Sequence, residues 1–522
     1  MSQIQLVPVP ALDPHRFAAV VDAEAYTEFI ALTERAAGRL RGRVIWNLNS
    51  TAAGGGVAEL LGPLLGYSRG SGVDARWGVI PGTPAFFAVT KRLHNHLHGV
   101  DGDGIGLGAT DRAVYESALA DSGAELGRLV GPRDIVILHD PQTAGLLPAV
   151  QATGAAAIWR CHVGTDRPNQ LARDAWDFLA PYLEFADAFV FSRAAYAFAG
   201  LSPERVTVIQ PSIDVFSPKN AELGAGQVRA ILARAGLAPS GRPSGRDEDA
   251  LFTHADGTPG RVDRMAQRTE MDVLGDDVPA VVQVSRWDRL KDPLGVISAF
   301  ADHVAGCSDA HLVLAGPATV GVSDDPEGAE VYDDVRAAWH ELPVDVRRRV
   351  HLAALPMDDV QENAAIVNAL QRRATVIVQK SLAEGFGLTV AEAMWKGRPV
   401  VGSRVGGIQD QIEDGRSGVL IDDPADLAAA GRAIAGLLGD PERARRLGEA
   451  AHERVRERFL APPHLGAYLQ LIESLLAGSA QARAAIVLRS MARKADTTAG
   501  SKCLPDWAET SATAAAGSQA DL

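Results

Sequence analysis

A chain of 522 residues is too long for one ordinary hydrophobic core and suits two α/β domains with additions. Hydrophobic residues at 47% and charged residues at 22% are usual for a globular protein, and a formal charge of −14 argues against a nucleic-acid surface, where basic stripes are expected, while leaving room for a local basic pocket for a small anion. Three cysteines, Cys161, Cys307 and Cys503, show neither metal-site spacing nor a paired framework, which points to a reducing compartment. The start, MSQIQLVPVPALDPHRF, lacks the basic and apolar regions of a signal peptide, and no stretch reaches the about 18 uninterrupted apolar residues of a membrane helix. A cytoplasmic protein is expected. Residues 1–42 are expected to form a helical extension, from the spacing of Phe17, Val20, Val21, Tyr26, Phe29 and Ile30. Over 43–236, short apolar runs at 43–48, 134–138, 156–159, 188–191 and 206–209 alternate with helix-length segments. That rhythm predicts a parallel sheet with helices on both faces. Residues 237–276, rich in Gly, Pro, Asp and Arg, read as an irregular insertion or linker. A second alternation, with runs at 280–284, 311–314, 375–378 and 399–401, fills 277–460. A C-terminal helix is expected over 461–480, followed by a tail over 481–522 whose end is disordered. The expected fold class is α/β, with two Rossmann-like doubly wound domains facing each other across a ligand-binding cleft.

The chemistry concentrates in three segments. In KSLAEGFGLTVAEAMWKG, Glu384 and Glu392 stand eight residues apart around a Gly-Phe-Gly turn. A helix starting near Leu388 would turn the amides of Gly387, Leu388 and Thr389 toward an anion. Glu392, about one turn further in, would accept hydrogen bonds from sugar or ribose hydroxyls. In VSRWDRLKDP, Arg286 and Lys291 follow a strand end and offer a planar fork and a point charge to a diphosphate. In NLNSTAAGGGVAEL, Gly54, Gly55 and Gly56 let backbone approach a phosphate or sugar. Glu59 occupies the place where a dinucleotide fingerprint would need glycine, which disfavours NAD. The Asp pairs at 324–325, 358–359 and 422–423 sit in polar loops, so no metal site is expected and no cofactor is required.

The Glu-x7-Glu segment resembles the signature of retaining glycosyltransferases with the GT-B fold, in the family-four clan that contains sucrose and trehalose synthases. By that resemblance Glu384 meets the donor-sugar hydroxyls, Glu392 binds the nucleotide ribose, and Arg286 and Lys291 clamp the diphosphate. The stretches WNLNST with GGGVAE, FFAVTKRLHN, WRCH and QKSLAEGFGLTVAEAMWKG look like the trehalose glycosyltransferring synthase family. Its members join glucose from a nucleotide-glucose to free glucose, giving α,α-trehalose. The resemblance covers roughly 43–215 and 280–475. His139-Asp140-Pro-Gln142 resembles the strand end that holds the acceptor sugar, and His162 resembles the clan's active-site histidine. Arg160 joins Asp140 and Gln142 as an acceptor-binding candidate, with Thr165 and Asp166 nearby. Lys91 and Arg92 would suit a phosphorylated acceptor if they faced the cleft. The sequence does not choose among UDP-, ADP- and GDP-glucose. The partners expected are small molecules, neither nucleic acid nor membrane, and a homodimer is compatible with the sequence. A retaining trehalose phosphorylase, a same-clan transferase with another acceptor, and a non-catalytic nucleotide-sugar-binding protein are the rival readings.

Overall fold

The computed structural model describes residues 3–52, 55–239, 250–318 and 326–496. Gly54, residues 240–249 of the expected insertion, the pair Asp324 and Asp325, Cys503 and the end of the expected tail lie outside them. The chain divides into two units, Met1–Gln470 and Leu471–Leu522. In the second, residues 471–496 are the later part of the helix Ala461–Asp496.

Two seven-stranded sheets carry the first unit. The N-terminal sheet contains β1 (Gln5–Val7), β2 (Val44–Asn49), β3 (Asp74–Val79), β4 (Ile135–His139), β5 (Ala156–Cys161), β6 (Ala188–Phe191) and β7 (Val206–Val208), in the order β1-β3-β2-β4-β5-β6-β7. After a small hairpin of β8 (Leu251–Thr253) and β9 (Pro259–Arg261) comes the second sheet. It contains β10 (Gln267–Thr269), β11 (Ala280–Val284), β12 (His311–Pro317), β13 (Val350–Leu355), β14 (Val376–Gln379), β15 (Val400–Ser403) and β16 (Val419–Ile421), in the order β10-β13-β12-β11-β14-β15-β16. Within these two sheets, among the described residues, only the edge strands β1 and β10 pair antiparallel. The central strands β4, β5, β11 and β14 are buried along their whole length, as strands covered by helices on both faces must be.

Each sheet reverses its winding at one point, between β2 and β4 in the first and between β11 and β14 in the second. The carboxyl ends of the flanking strands open into a crevice there. All three chemistry-bearing segments leave those strands. One hydrophobic cluster joins the lobes: Phe17, Phe29 and Tyr67 belong to the same core as Ile213, Val282, Val390 and Phe459. Two further cores lie within the separate sheets.

Three expectations need correction. The C-terminal helix expected over 461–480 runs on to Asp496, into the expected tail. The segment 1–42 is not purely helical, because Gln5–Val7 pairs with β3 and extends the first sheet; its helix is Ala23–Arg39. The described part of 237–276 is not irregular either. It forms the β8–β9 hairpin and edge strand β10, whose register on β13 pairs Arg268 with Ala353. Its polar composition suits strands with an exposed face, which carry little apolar signal.

Candidate active site

The donor-side groups converge at the amino end of the helix Leu388–Trp395. β14 delivers Lys380, the loop turns, and Gly387 caps the helix with φ +85, a left-handed conformation that glycine adopts without strain. The amides of Leu388 and Thr389 have no helical partner one turn back, which gives that end positive character. Glu384 folds over the same end: its Cγ lies 3.2 Å from the position a Cβ on Gly387 would take. Its carboxylate pairs directly with Lys291 Nζ. Lys291 is held on its short 3-10 turn, where its carbonyl accepts from Gln283 Nε2 at 2.8 Å. The next residue, Asp292, has φ +50, and its carboxylate pairs with the buried Lys380 while accepting the Gly295 amide at 3.0 Å. Arg286 lies on the same loop with its guanidinium half exposed, 3.1 Å from Asp288. Thus the structure brings Glu384, Lys291 and the helix end together, and Arg286 stands at the rim. Across the cleft, Gly55 caps the helix Gly56–Gly70, and a Cβ on Gly56 would touch the Leu388 side chain at 3.4 Å.

The acceptor-side groups sit at the ends of β4 and β5. Asp140 opens the short helix Asp140–Ala144 with φ +63, which an aspartate tolerates better than most residues. Its Oδ1 accepts the His162 amide at 2.7 Å, and burial pushes its carboxyl up to about 7. Gln142 is half-buried on the same helix. His162 Nε2 lies 3.3 Å from Arg160 Nε and 3.2 Å from His139 Nδ1. Arginine can only donate, so Nε2 is the unprotonated nitrogen and Nδ1 carries the proton. Burial, then Arg160 and His139, holds His162 well below its ordinary value and therefore neutral.

Arg160 departs from the expected acceptor contact. It is fully buried, donates to the Ile209 carbonyl at 2.8 Å, and lies against the Tyr468 ring. Its contact with the residues at the strand ends is the one from Nε to His162 Nε2. Asp166 also departs: it accepts the Gly406 amide at 3.0 Å and Gln409 Nε2 at 2.8 Å and pairs with Arg193. Arg92 is buried and clamped between Asp103 and Asp111 at 2.8 and 2.7 Å, so its guanidinium is already engaged by two carboxylates.

Sequence reasoning missed the residues that join the lobes at the site. Tyr196 Oη lies 2.7 Å from both the Glu384 and Gly385 carbonyls. Arg193 pairs with Asp410 at 2.6 Å and donates to the Gly406 carbonyl at 3.0 Å. Lys219 bridges Glu59 and Glu392. Within the N-terminal lobe, His98, from the loop after the helix Pro84–Leu97, is missed likewise: it bonds the Gly164 carbonyl at 3.0 Å and has its pKa lowered chiefly by burial. None of these has a local sequence signal, because each partner is distant in the chain. Among the described residues no cluster of three metal-ligating side chains occurs, and no helix is long and apolar enough to cross a membrane.

Residues 47–198 match the family described as trehalose synthase, N-terminal domain, and residues 272–454 match glycosyl transferases group 1. A trehalose synthase of Rubrobacter xylanophilus is 37% identical over 470 residues, covering 88% of this chain and 96% of that one. The chain belongs to the trehalose synthase family. A second member, the trehalose synthase of Pyrococcus horikoshii, is 33% identical over 448 residues, covering 86% of this chain and 94% of that one. Among solved structures, the α,α-trehalose-phosphate synthase (UDP-forming) from Burkholderia xenovorans, in complex with glucose-6-phosphate, aligns over 83% of this chain and all of that one, with TM-score 0.61 at 15% identity. That likeness is one of fold, and it identifies the two-sheet architecture as that of a GT-B glycosyltransferase.

Proposed function

We propose that this enzyme is a retaining glucosyltransferase that moves glucose from a nucleoside-diphosphate-glucose to free glucose, forming α,α-trehalose. The observation that carries the reading is the meeting of Glu384 and Lys291 at the amino end of Leu388–Trp395, directly against the β5 end. A Cβ on Gly385 would lie 2.9 Å from the His162 carbonyl, so the two half-sites touch.

In this reading the donor diphosphate lies against Lys291, Arg286 and the free amides, which stabilise the charge it gains as it leaves. Glu384 accepts bonds from the donor-sugar hydroxyls, Glu392 from the ribose, and Gly55 and Gly56 let backbone approach the donor. His162 donates from Nδ1 to the donor sugar and, being neutral, adds no positive charge beside the oxocarbenium-like centre. Asp140 and Gln142 orient the acceptor. The bond from C1 to the diphosphate oxygen breaks, the acceptor oxygen bonds C1 on the same face, and the departing phosphate oxygen takes the acceptor proton. No carboxylate nucleophile is needed, in contrast to hydrolases with two close carboxylates. The engagement of Arg92 by two aspartates supports a neutral acceptor, because a phosphorylated sugar would want convergent cations.

A donor-by-acceptor matrix tests this: UDP-, ADP- and GDP-glucose against glucose and glucose 6-phosphate, with products assigned by NMR and with and without chelator. Free glucose should give α,α-trehalose with at least one donor, and chelator should leave the rate unchanged. A product formed only from glucose 6-phosphate, or activity restored to chelated enzyme only by magnesium or manganese, would refute the reading. Release of glucose 1-phosphate from trehalose and inorganic phosphate would favour the phosphorylase.

A further inference from the structure

Lys219 lies on the segment joining the two sheets, outside the diphosphate clamp and outside the glutamate pair. Its Nζ is 3.3 Å from Glu392 Oε1 and 3.0 Å from Glu59 Oε2. Glu392 belongs to the helix Leu388–Trp395, and Glu59 belongs to Gly56–Gly70 of the other lobe. The backbone on both sides of Lys219 is fixed to the donor lobe. Asn368 Nδ2 donates to the Pro218 and Ala221 carbonyls at 2.9 and 2.8 Å, and Trp395 Nε1 donates to the Asn220 carbonyl at 3.2 Å. Lys396 Nζ donates to Asn220 Oδ1 at 2.9 Å. The ammonium is therefore delivered to Glu392 by a built scaffold, unlike a surface lysine that pairs by chance.

Glu392 is 2% exposed, and its second oxygen, Oε2, is buried without a hydrogen-bond partner. A buried carboxylate oxygen left unpaired is costly, and a ligand hydroxyl would satisfy it. Burial drives the Glu392 carboxyl upward; Lys219 opposes that, Glu59 adds to it, and Lys396 opposes it. On Lys219 itself burial disfavours the charge, but Glu392 and Glu59 outweigh it and hold the ammonium above its ordinary range.

We propose that Lys219 is a positioning residue of the donor site: it occupies Glu392 Oε1, leaves Oε2 for the ribose hydroxyls, and through Glu59 ties that geometry to the opposite lobe. This rests on the reading of Glu392 as the ribose residue. It also gives a role to Glu59, the residue that breaks the dinucleotide fingerprint.

The test is calorimetric binding of UDP, ADP and GDP, with the tightest carried forward beside its 2′,3′-dideoxy analogue. Wild type should prefer the ribose form by about tenfold or more, the worth of a hydrogen bond to a charged group. Lys219→Met should lose most of that preference while binding the dideoxy form as wild type does, and Lys219→Arg should restore it. With only Glu59 and Lys396 left facing it, Glu392 takes up a proton more readily, so the affinity of Lys219→Met for the ribose form should fall away at a higher pH than that of wild type. Equal weakening of both nucleotides by Lys219→Met would mean general support of the fold and would overturn the proposal. If wild type and Glu392→Gln alike show no ribose preference, the reading of Glu392 fails instead. If Glu392→Gln abolishes the preference and Lys219→Met keeps it, the proposal alone fails.

Discussion

Glu384 and Lys291 neutralise each other, and each is assigned to a different part of the donor, so their substitutions should separate. Glu384→Gln keeps the shape and loses the charge. It should lower kcat by orders of magnitude with nucleoside-diphosphate affinity nearly unchanged; near-normal turnover at saturating donor would remove its role. Lys291→Ala takes a cation from the leaving group and leaves the Glu384 carboxylate, 9% exposed, without its partner. The expected loss is about 3 kcal/mol in the transition state, read from kcat/KM. Asp140 offers a third test, in which function and stability move in opposite directions. Its folded pKa, about 7, lies above the ordinary 3.8, so the fold disfavours its charge and stability falls as pH rises between those values. At about pH 8 that cost amounts to up to roughly 4 kcal/mol. An asparagine in its place would tolerate φ +63 and could still accept the His162 amide. Asp140→Asn should therefore raise Tm at about pH 8, lose that advantage near pH 4, and raise the acceptor KM far more than the donor KM. A Tm unchanged or lowered at both pH values would sink the argument. The residues legible in the sequence, Glu384, Lys291, Asp140 and His162, all follow strand ends: Asp140 and His162 directly, Glu384 and Lys291 within the loop that comes next. Arg160 shares that context but sits a step deeper than His162, and burial of a strand residue cannot be told from its neighbours alone.

At the scale of elements, the donor loop works because two turns from distant strands interlock. A Cβ on Gly406 would lie 1.7 Å from the Glu384 carbonyl oxygen and 2.6 Å from Tyr196 Oη, at φ +47. Gly406→Ala must therefore move the very peptide that carries Glu384. It should cost at least about 2 kcal/mol of stability and lower kcat more than it raises KM. Gly38 is the control: it lies inside the helix Ala23–Arg39 with open space around it, so Gly38→Ala should be stabilising by about 0.5–1 kcal/mol and kinetically silent. Equal effects from the two would contradict the packing argument. The interlock also marks the limit of sequence reading. The start of the helix at Leu388 and the strands β6 and β11 are readable because apolar period and glycine placement are local properties. β13 (VHLAAL) is not among the strands expected from the sequence, because a short apolar run does not separate a strand from a buried helix. β1 and β16 are three residues each and exist only through their neighbours. β3, DARWGV, carries two charges because its outer positions are exposed.

For the whole molecule, the question is what holds two sheets face to face over a cleft that must admit a nucleotide. The shared core of Phe17, Tyr67, Val390 and Phe459 joins them on one side. At the site the joint is polar: Arg193 of the N-terminal lobe sits between Asp166 of its own lobe and Asp410 of the other, 2.6 Å from each, and also binds the Gly406 carbonyl. A polar joint, unlike the shared core, holds the lobes through charge and hydrogen bonds and not through buried apolar surface. Burial pushes the Asp410 carboxyl up, Arg193 pulls it down, and Asp166 adds to the rise. Removing the arginine would leave two carboxylates facing each other, one of them desolvated. Arg193→Met should therefore weaken the lobe contact most where both are ionised. As pH falls, Asp410 in the variant takes up a proton before Asp410 in wild type, and the repulsion disappears. The ratio of wild-type to variant kcat/KM should consequently be largest near pH 8 and shrink toward pH 5.5, with Arg193→Lys intermediate. Asp166 must keep the Gly406 amide in either case, so the double variant Arg193→Met with Asp410→Asn should recover activity at pH 8 relative to Arg193→Met alone. A defect independent of pH and not relieved by Asp410→Asn would mean that Arg193 acts by its shape and its bond to Gly406, and that charge plays no part in holding the lobes together.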